Sequence, residues 1–279
     1  MDKIKIEKNT VQETLIIPLY ARKLCTLAFP RLFEDPAALE LIERLDYDFS
    51  KVEKQSGSLM YMFGALEVAM RQKDLAWEVR DYLKLHPEAA VVNLGCGLDQ
   101  TGRNCDNGSC RIYNIDLPEV IRLRDRLLPA GEREISLAAD LNDWSWFDKI
   151  DSSGGAVFFA AGVFYYFRKT EAKKLIAAMS RHFPGARLVF DSCGKLGLKM
   201  MLKTWIKQAE IQDVGTYFYI DDAKRDLHCL SSEMEISSRG YMLGYYSLDD
   251  PNIPRIHRFL AKLGDGPIKM KIVRIDFGK

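Results

Sequence analysis

An α/β fold with a mostly parallel sheet covered on both faces is the expectation for this 279-residue chain. Three observations carry it. Short apolar runs alternate with amphipathic helical stretches at the spacing of βαβ units. The first of these runs, Val91-Val92-Asn93-Leu94, passes directly into Gly95-Cys96-Gly97-Leu98-Asp99. The second, Ile112-Tyr113-Asn114-Ile115, ends in a carboxylate, Asp116, 21 residues after Gly95. A strand feeding Gly-x-Gly beside a strand closing on an acid is how such sheets hold an adenosine. Glycine lets backbone approach where a Cβ would collide, and the carboxylate accepts hydrogen bonds from a ribose diol.

The elements follow in order. Residues 1–88 read as helical: Asp35-Pro36 opens a helix to Leu45, and roughly Leu59 to Leu85 reads as one long or broken helix. The sheet begins with Ala89–Gly95, uninterrupted by charge as a strand covered on both faces should be. Arg111–Leu117 is the second strand, with Pro118 at a good first-turn position and Glu119–Leu128 amphipathic after it. Glu132–Ala139 alternates up to Asp140, and Ala156–Ala161 is apolar throughout. Lys169–His182 carries Leu175, Ile176 and Met179 on one face and stops at Pro184-Gly185. Ala186–Asp191 precedes Ser192-Cys193-Gly194, and Leu196–Glu210 reads as another helix. Arg255–Leu263 is a last helix before a half-exposed strand within Ile268–Phe277. There are no repeats, low-complexity tracts or long Ser/Gly linkers. Residues 1–279 are therefore expected to form a single domain, with 1–88 a helical cap on a core of 89–279.

Composition narrows the function classes. Hydrophobic residues at 47% and charged residues at 28% suit a globular protein with a sizeable core. A net charge of +1 argues against a nucleic-acid partner, which calls for a basic patch. No apolar stretch approaches the ~18 residues of a membrane span, and Met1-Asp2-Lys3-Ile4-Lys5 lacks the apolar core of a signal peptide. A soluble cytoplasmic protein without a membrane partner is expected. The six cysteines (25, 96, 105, 110, 193, 229) form no Cys-x-x-Cys pair, and the four histidines share no ligand spacing. No metal site is expected, and the thiols read as reduced packing groups.

Open parallel sheets bind ligands at the carboxyl ends of their strands. That rule gathers Gly95, Gly97, Asp116, Asp140, Ala161 and Gly162 around one crevice. The dinucleotide fingerprint wants a third glycine at the fifth position after the first, and here that position is Gln100. A pyrophosphate needs that tight turn into a helix N-terminus; an adenosine ligand without phosphate does not. S-adenosylmethionine is such a ligand, so the residues point to a methyltransferase and rank a nicotinamide oxidoreductase last. In Asp140-Leu141-Asn142, a carboxylate or main chain could meet the adenine amine while Leu141 packs on the ring. The aromatic run Phe164-Tyr165-Tyr166-Phe167 offers faces to a sulfonium or fills core. Arg71, on the long predicted helix, could pair with the methionine carboxylate or stand solvated. Asp116 taken alone could instead cap the next helix.

These motifs resemble the superfamily containing leucine carboxyl methyltransferase and the tetracenomycin-type polyketide O-methyltransferases. The resemblance rests on Val91–Asp99, on Asn114-Ile115-Asp116-Leu117-Pro118-Glu119-Val120 and on Ala139-Asp140-Leu141. It extends to Tyr20-Ala21-Arg22-Lys23, Leu32-Phe33-Glu34-Asp35-Pro36, Arg71 and Ala161–Phe167, covering roughly residues 14 to 195. It implies a seven-stranded sheet of the class I methyltransferase type with an antiparallel final strand. Arg71 and Lys23 would bind the methionine carboxylate. The loop Gly95-Cys96-Gly97 would lie under the cofactor, Asp116 and Leu117 at the ribose, and Asp140 and Leu141 at the adenine. Ala161 and Gly162 would reach the amino-acid end. Similar sequences often carry Glu where this chain has Ala161, which leaves the cofactor's amino group to backbone carbonyls. They also often read Leu-Asp-Thr-Arg, where this chain has Asp99-Gln100-Thr101-Gly102-Arg103; Arg103 is the candidate to restore the charge. The aromatic pattern after Ala161 looks closer to the polyketide branch.

The implied reaction is in-line methyl transfer to an oxygen of a small aromatic molecule, a carboxylate or acidic phenol. A carboxylate is already ionised near neutral pH, so no catalytic residue is singled out. Tyr165, Tyr166, Tyr217 and Tyr219 would line the acceptor pocket, although Tyr217-Phe218-Tyr219 could equally be an ordinary strand with a buried Phe. A protein C-terminal carboxylate would require a peptide-wide groove instead. Loss of the acid at Ala161 motivates a third reading, a cofactor-binding protein without catalysis.

Overall fold

The computed structural model describes residues 3–7, 10–201, 218–228, 230 and 233–278. Ahead of the main sheet come β1 (Ile4–Lys5), α1 (Val11–Thr14), α2 (Ile16–Ala28), α3 (Pro36–Arg44), β2 (Leu45–Asp46), α4 (Ser50–Ser56) and α5 (Leu59–Leu85). Helix α3 begins where the sequence signals it: the Asp35 carboxylate accepts from the Ala38 N–H and Pro36 occupies the first turn. Helix α5 is one unbroken helix of 27 residues, started by the Ser58 hydroxyl accepting from Tyr61 N–H. The pairing of β1 with β2, Ile4 opposite Leu45, was not expected, because two-residue strands carry no readable alternation.

The main sheet then forms from β3 (Ala90–Leu94), β4 (Arg111–Asp116), β5 (Glu134–Ala138), β6 (Ala156–Ala160), β7 (Arg187–Ser192), β8 (Glu235–Arg239) and β9 (Lys271–Asp276). Between them run α6 (Thr101–Asn104), α7 (Pro118–Leu127), α8 (Lys169–His182), α9 (Lys195–Met201), α10 (Ala223–Leu227) and α11 (Arg255–Asp265), with short 3₁₀ turns at Trp144–Lys149 and Phe164–Tyr166. The strand order is β5-β4-β3-β6-β7-β9-β8. The strands β5-β4-β3-β6-β7 pair in parallel, and β9 runs antiparallel to both of its neighbours. Seven strands with an antiparallel final one are what the resemblance implied.

Successive strand residues point to opposite faces, which separates two cores. Val91, Val157, Phe159 and Val189 pack on one face with α5 and α11 residues such as Leu66, Met70 and Ala261. Val92, Phe158, Leu188 and Phe190 pack on the other with Trp146 and with Ile176 and Met179 of α8. A third core lies at the N-terminal helices, in which Ile16 and Leu19 of α2 meet Leu98 of the glycine loop and Leu123 and Leu127 of α7.

Strand β8 was missed in the sequence: Glu-Ile-Ser-Ser-Arg holds one apolar residue because it is an edge strand with only one side partnered. Residues 202–210 of the expected 196–210 helix lie outside the described residues, as does Tyr217. Phe218 and Tyr219 belong to no strand, although Phe218 is buried in the second core. Among the described residues no helix is long and apolar enough to cross a membrane.

Candidate active site

The glycine loop departs from the end of β3 in a conformation that needs glycine. Gly95 has φ +66° and Gly97 φ +46°, both in the left-handed region. A Cβ on Gly95 would run into Val163, and one on Gly97 would meet Leu15 at 2.9 Å. The amides of Gly95 and Cys96 both donate to Ile115 O, at 2.8 and 3.0 Å, which ties the loop to the end of β4. There Asp116 accepts from the Gly97 N–H through Oδ2 and from the Leu117 N–H through Oδ1, each at 2.8 Å. Burial raises its pKa, and those two amides pull the other way. An ionised carboxylate has about four lone-pair directions, so both oxygens can still accept from a ribose diol.

Buried polar groups hold the loop from outside. Arg124 of α7 is 1% exposed, and its Nη1 donates to Gly97 O at 2.9 Å and Asp99 O at 2.6 Å. Asp99 accepts from Gln72 Nε2 at 2.9 Å, Asn93 Nδ2 at 3.2 Å, Arg22 Nη1 at 3.4 Å and the Thr101 hydroxyl at 2.8 Å. The loop is thus preorganised by its surroundings.

Above it opens a cavity of about 910 Å³. One wall follows the strand ends: the glycine loop, Asp116-Leu117, Ala139–Asn142 and Ala161–Val163. The opposite wall is the cap, through α1, Leu15 and Pro18, with Arg22 and Arg71 entering from α2 and α5. Asp140 shapes its corner by accepting from the Asn142 N–H at 2.9 Å, while Leu141 is buried beside it. Arg71 Nη1 pairs with Asp191 Oδ2 at 2.9 Å. The Nε of Arg71 is buried and has no hydrogen-bond partner, whereas the buried Arg22 Nε forms an ion pair with Asp35 Oδ2 at 3.4 Å.

Most sequence-predicted site residues reach this cavity, with three described exceptions. Lys23 does not: α2 turns the adjacent Arg22 inward, and Lys23 Nζ lies 5.2 Å from the Tyr20 ring centroid. Tyr165 points into the core beside Arg71 and Cys193, where burial holds its hydroxyl far above the usual phenol range. Tyr219 packs against that core under Lys169. Tyr166 does line the cavity, together with Phe167. Arg103 supplies no charge there; it forms an ion pair with Glu134 of β5 and donates to Pro129 O at 2.8 Å. Burial also drives the Cys96 thiol well above its ordinary pKa. Sequence reasoning missed Arg22, Gln72, Arg124 and Asp191. For Arg124 a signal existed, because it falls in helical phase with the apolar residues Val120 and Leu127 of α7.

These residues fit S-adenosylmethionine. The glycine cradle has no room for a Cβ at Gly95, Asp116 keeps free lone pairs at the ribose position, and the buried Nε of Arg71 lacks a hydrogen-bond partner at the cavity.

Residues 18–180 match the leucine carboxyl methyltransferase family. The tetracenomycin polyketide synthesis O-methyltransferase TcmP of Streptomyces glaucescens is 30% identical over 188 residues, 67% of this chain and 67% of that protein. An S-adenosyl-L-methionine-dependent methyltransferase of Gibberella zeae, dpfgK, is 23% identical over 265 residues, 88% and 87% of the two chains. Among solved structures, the plantazolicin methyltransferase BamL, in complex with a triazolic desmethylPZN analog and S-adenosylhomocysteine, superposes with TM-score 0.53 at 12% identity. That superposition covers 96% of this chain and 98% of BamL and speaks for the fold, the class I methyltransferase type. The matched segment contains the glycine loop, Asp116, Asp140 and the Ala161–Phe167 turn, and the chain belongs to the leucine carboxyl methyltransferase family, with S-adenosylmethionine as its cofactor.

Proposed function

We propose that the protein is an O-methyltransferase whose acceptor is a carboxylate or acidic phenol of a small aromatic molecule. The observation that carries this reading is the form of the cavity. Its 910 Å³ sits at the upper end of the roughly 300–1,000 Å³ that small-ligand sites occupy. It runs past the strand ends to an aromatic rim at Tyr166 and Phe167, under the roof formed by α1 and Leu15. A cofactor and a compact aromatic partner suit such a space better than an extended peptide does. The 30% identity to an O-methyltransferase of polyketide synthesis supports the same choice.

The bound cofactor supplies an electrophilic methyl group on a sulfonium. The chain's own contribution is alignment and exclusion of water, which in well-oriented systems supplies up to ~7–11 kcal/mol. The acids on the rim are already engaged: Glu13 accepts from the Tyr47 hydroxyl at 2.9 Å, and Glu171 accepts from the Arg168 N–H at 2.9 Å. An acceptor that arrives ionised needs no base from either of them. Desolvation at the cavity wall raises the Tyr166 phenol, so it stays neutral there.

Incubation with isotopically methyl-labelled cofactor and a panel of aromatic acids, phenols and a peptide ending in a free leucine carboxylate tests this reading. We expect label in a small-molecule ester or ether by mass spectrometry, with saponification distinguishing the two. Transfer to the peptide alone would replace the proposal with a protein acceptor.

A further inference from the structure

Ala161 leaves the end of β6 without an acid, but a carboxylate stands beside it. Strands β6 and β7 are parallel, with Ala160 paired to Phe190, so the next step brings Asp191 level with Ala161. Asp191 is 1% exposed. Its Oδ1 accepts from the Gly162 N–H at 2.6 Å, and its Oδ2 accepts from Arg71 Nη1 at 2.9 Å. One side chain therefore joins β7, the turn after β6 and α5 behind the cavity-lining residues Gly162 and Arg71.

The consequence falls on Arg71. A guanidinium is a planar fork of five donors, and Asp191 takes one edge of Nη1. The fork is held against the Gly162 backbone: a Cβ there would lie 3.2 Å from Nη1 and 3.5 Å from Nη2. Nε is buried without a partner. A rival acid exists, since Glu67 lies one turn earlier on α5 and acts electrostatically on Arg71. Desolvation pushes Glu67 up to about 7, which weakens its hold as an anion. The ion pair forms with Asp191 and fixes the direction in which the remaining donors point.

We propose that Asp191 is a positioning residue for the amino-acid end of the cofactor: it aims Arg71 so that its free N–H groups receive the methionine carboxylate. The proposal rests on the cavity being the cofactor site. Arg71 supplies the charge-assisted contact, and Asp191 supplies its geometry. Without Asp191 the guanidinium is free to swing toward Glu67, and the carboxylate loses its partner while the adenosine contacts at Asp116 and Leu141 stay as they are.

Calorimetric titration of the full chain with two ligands tests this. S-adenosylhomocysteine carries the amino-acid end; 5′-methylthioadenosine shares the adenosine and lacks that end. For Asp191→Asn we expect at least tenfold weaker binding of S-adenosylhomocysteine and 5′-methylthioadenosine binding within twofold of wild type. Asp191→Glu retains the buried ion pair and displaces the carboxylate by one methylene, so it serves if the asparagine variant does not fold; the same selective loss is expected. In an Arg71→Ala background Asp191→Asn should cause no further loss. Equal weakening of both ligands, or no weakening of either, would overturn the proposal and leave Asp191 a structural residue. Failure of the wild type to bind S-adenosylhomocysteine at all would overturn the cavity reading with it.

Discussion

A methyl group added at Gly95 would strike Val163, whereas one at Gly97 would meet the flexible end of Leu15. Both positions are left-handed and would each cost an alanine about 1–2 kcal/mol. Only Gly95 adds a collision with a residue fixed in the turn after β6. Thermal melts should therefore place Gly95→Ala several degrees below Gly97→Ala, and only the former should lose S-adenosylhomocysteine binding altogether. Equal effects would mean that Val163 yields and the cradle is softer than its geometry implies. At this scale the sequence was legible where residue type alone carries the chemistry: glycine at a close approach, an acid at a strand end. Lys23 and Arg22 show the limit. Both are cations in one motif, and helical phase, which turns Arg22 in and Lys23 out, decides which reaches the cavity.

Helix α5 brings more than Arg71 to the structure, because its buried face continues into charge. Asp74 is 1% exposed and accepts from the Tyr245 N–H at 3.3 Å. Burial is the main reason its carboxyl is pushed up to about 7; Tyr245 and Arg239 oppose the rise, and Asp265 and Glu78 add to it. A carboxyl raised on folding binds protons more tightly in the native state than in the unfolded one. Its stabilising contribution is full below the unfolded value near ~4 and is lost as pH rises through about 7. The loss is on the order of a few kcal/mol. Asp74→Asn keeps an acceptor for Tyr245 and removes the charge. The melting temperature of this variant relative to wild type should accordingly climb between pH 5 and pH 8; a constant difference would show that Asp74 titrates normally. Elements with strong periodicity, such as α8 and the apolar strands, were readable in advance. Strand β8 and the β1–β2 pair were not, since an edge strand needs few apolar residues and two residues make no pattern. Tyr165 was misplaced for a related reason: its 3₁₀ turn has neither the strand nor the helix period, so which ring faces the cavity follows only from packing.

The molecule as a whole joins its N-terminal helices to the sheet at the cavity. Leu98, next to the glycine loop, shares a core with Ile16 and Leu19 of α2 and with Leu123 and Leu127 of α7. The cap thus supplies one wall of the cavity and clamps the loop that forms the other. Calorimetric titration with S-adenosylhomocysteine, with NAD as the control, tests the central claim that this junction is an S-adenosylmethionine site. Binding of S-adenosylhomocysteine on the micromolar scale, no binding of NAD, and a loss of at least tenfold in Asp116→Ala are expected. Binding of NAD in place of S-adenosylhomocysteine, or an Asp116→Ala variant that binds as well as wild type, would contradict that claim.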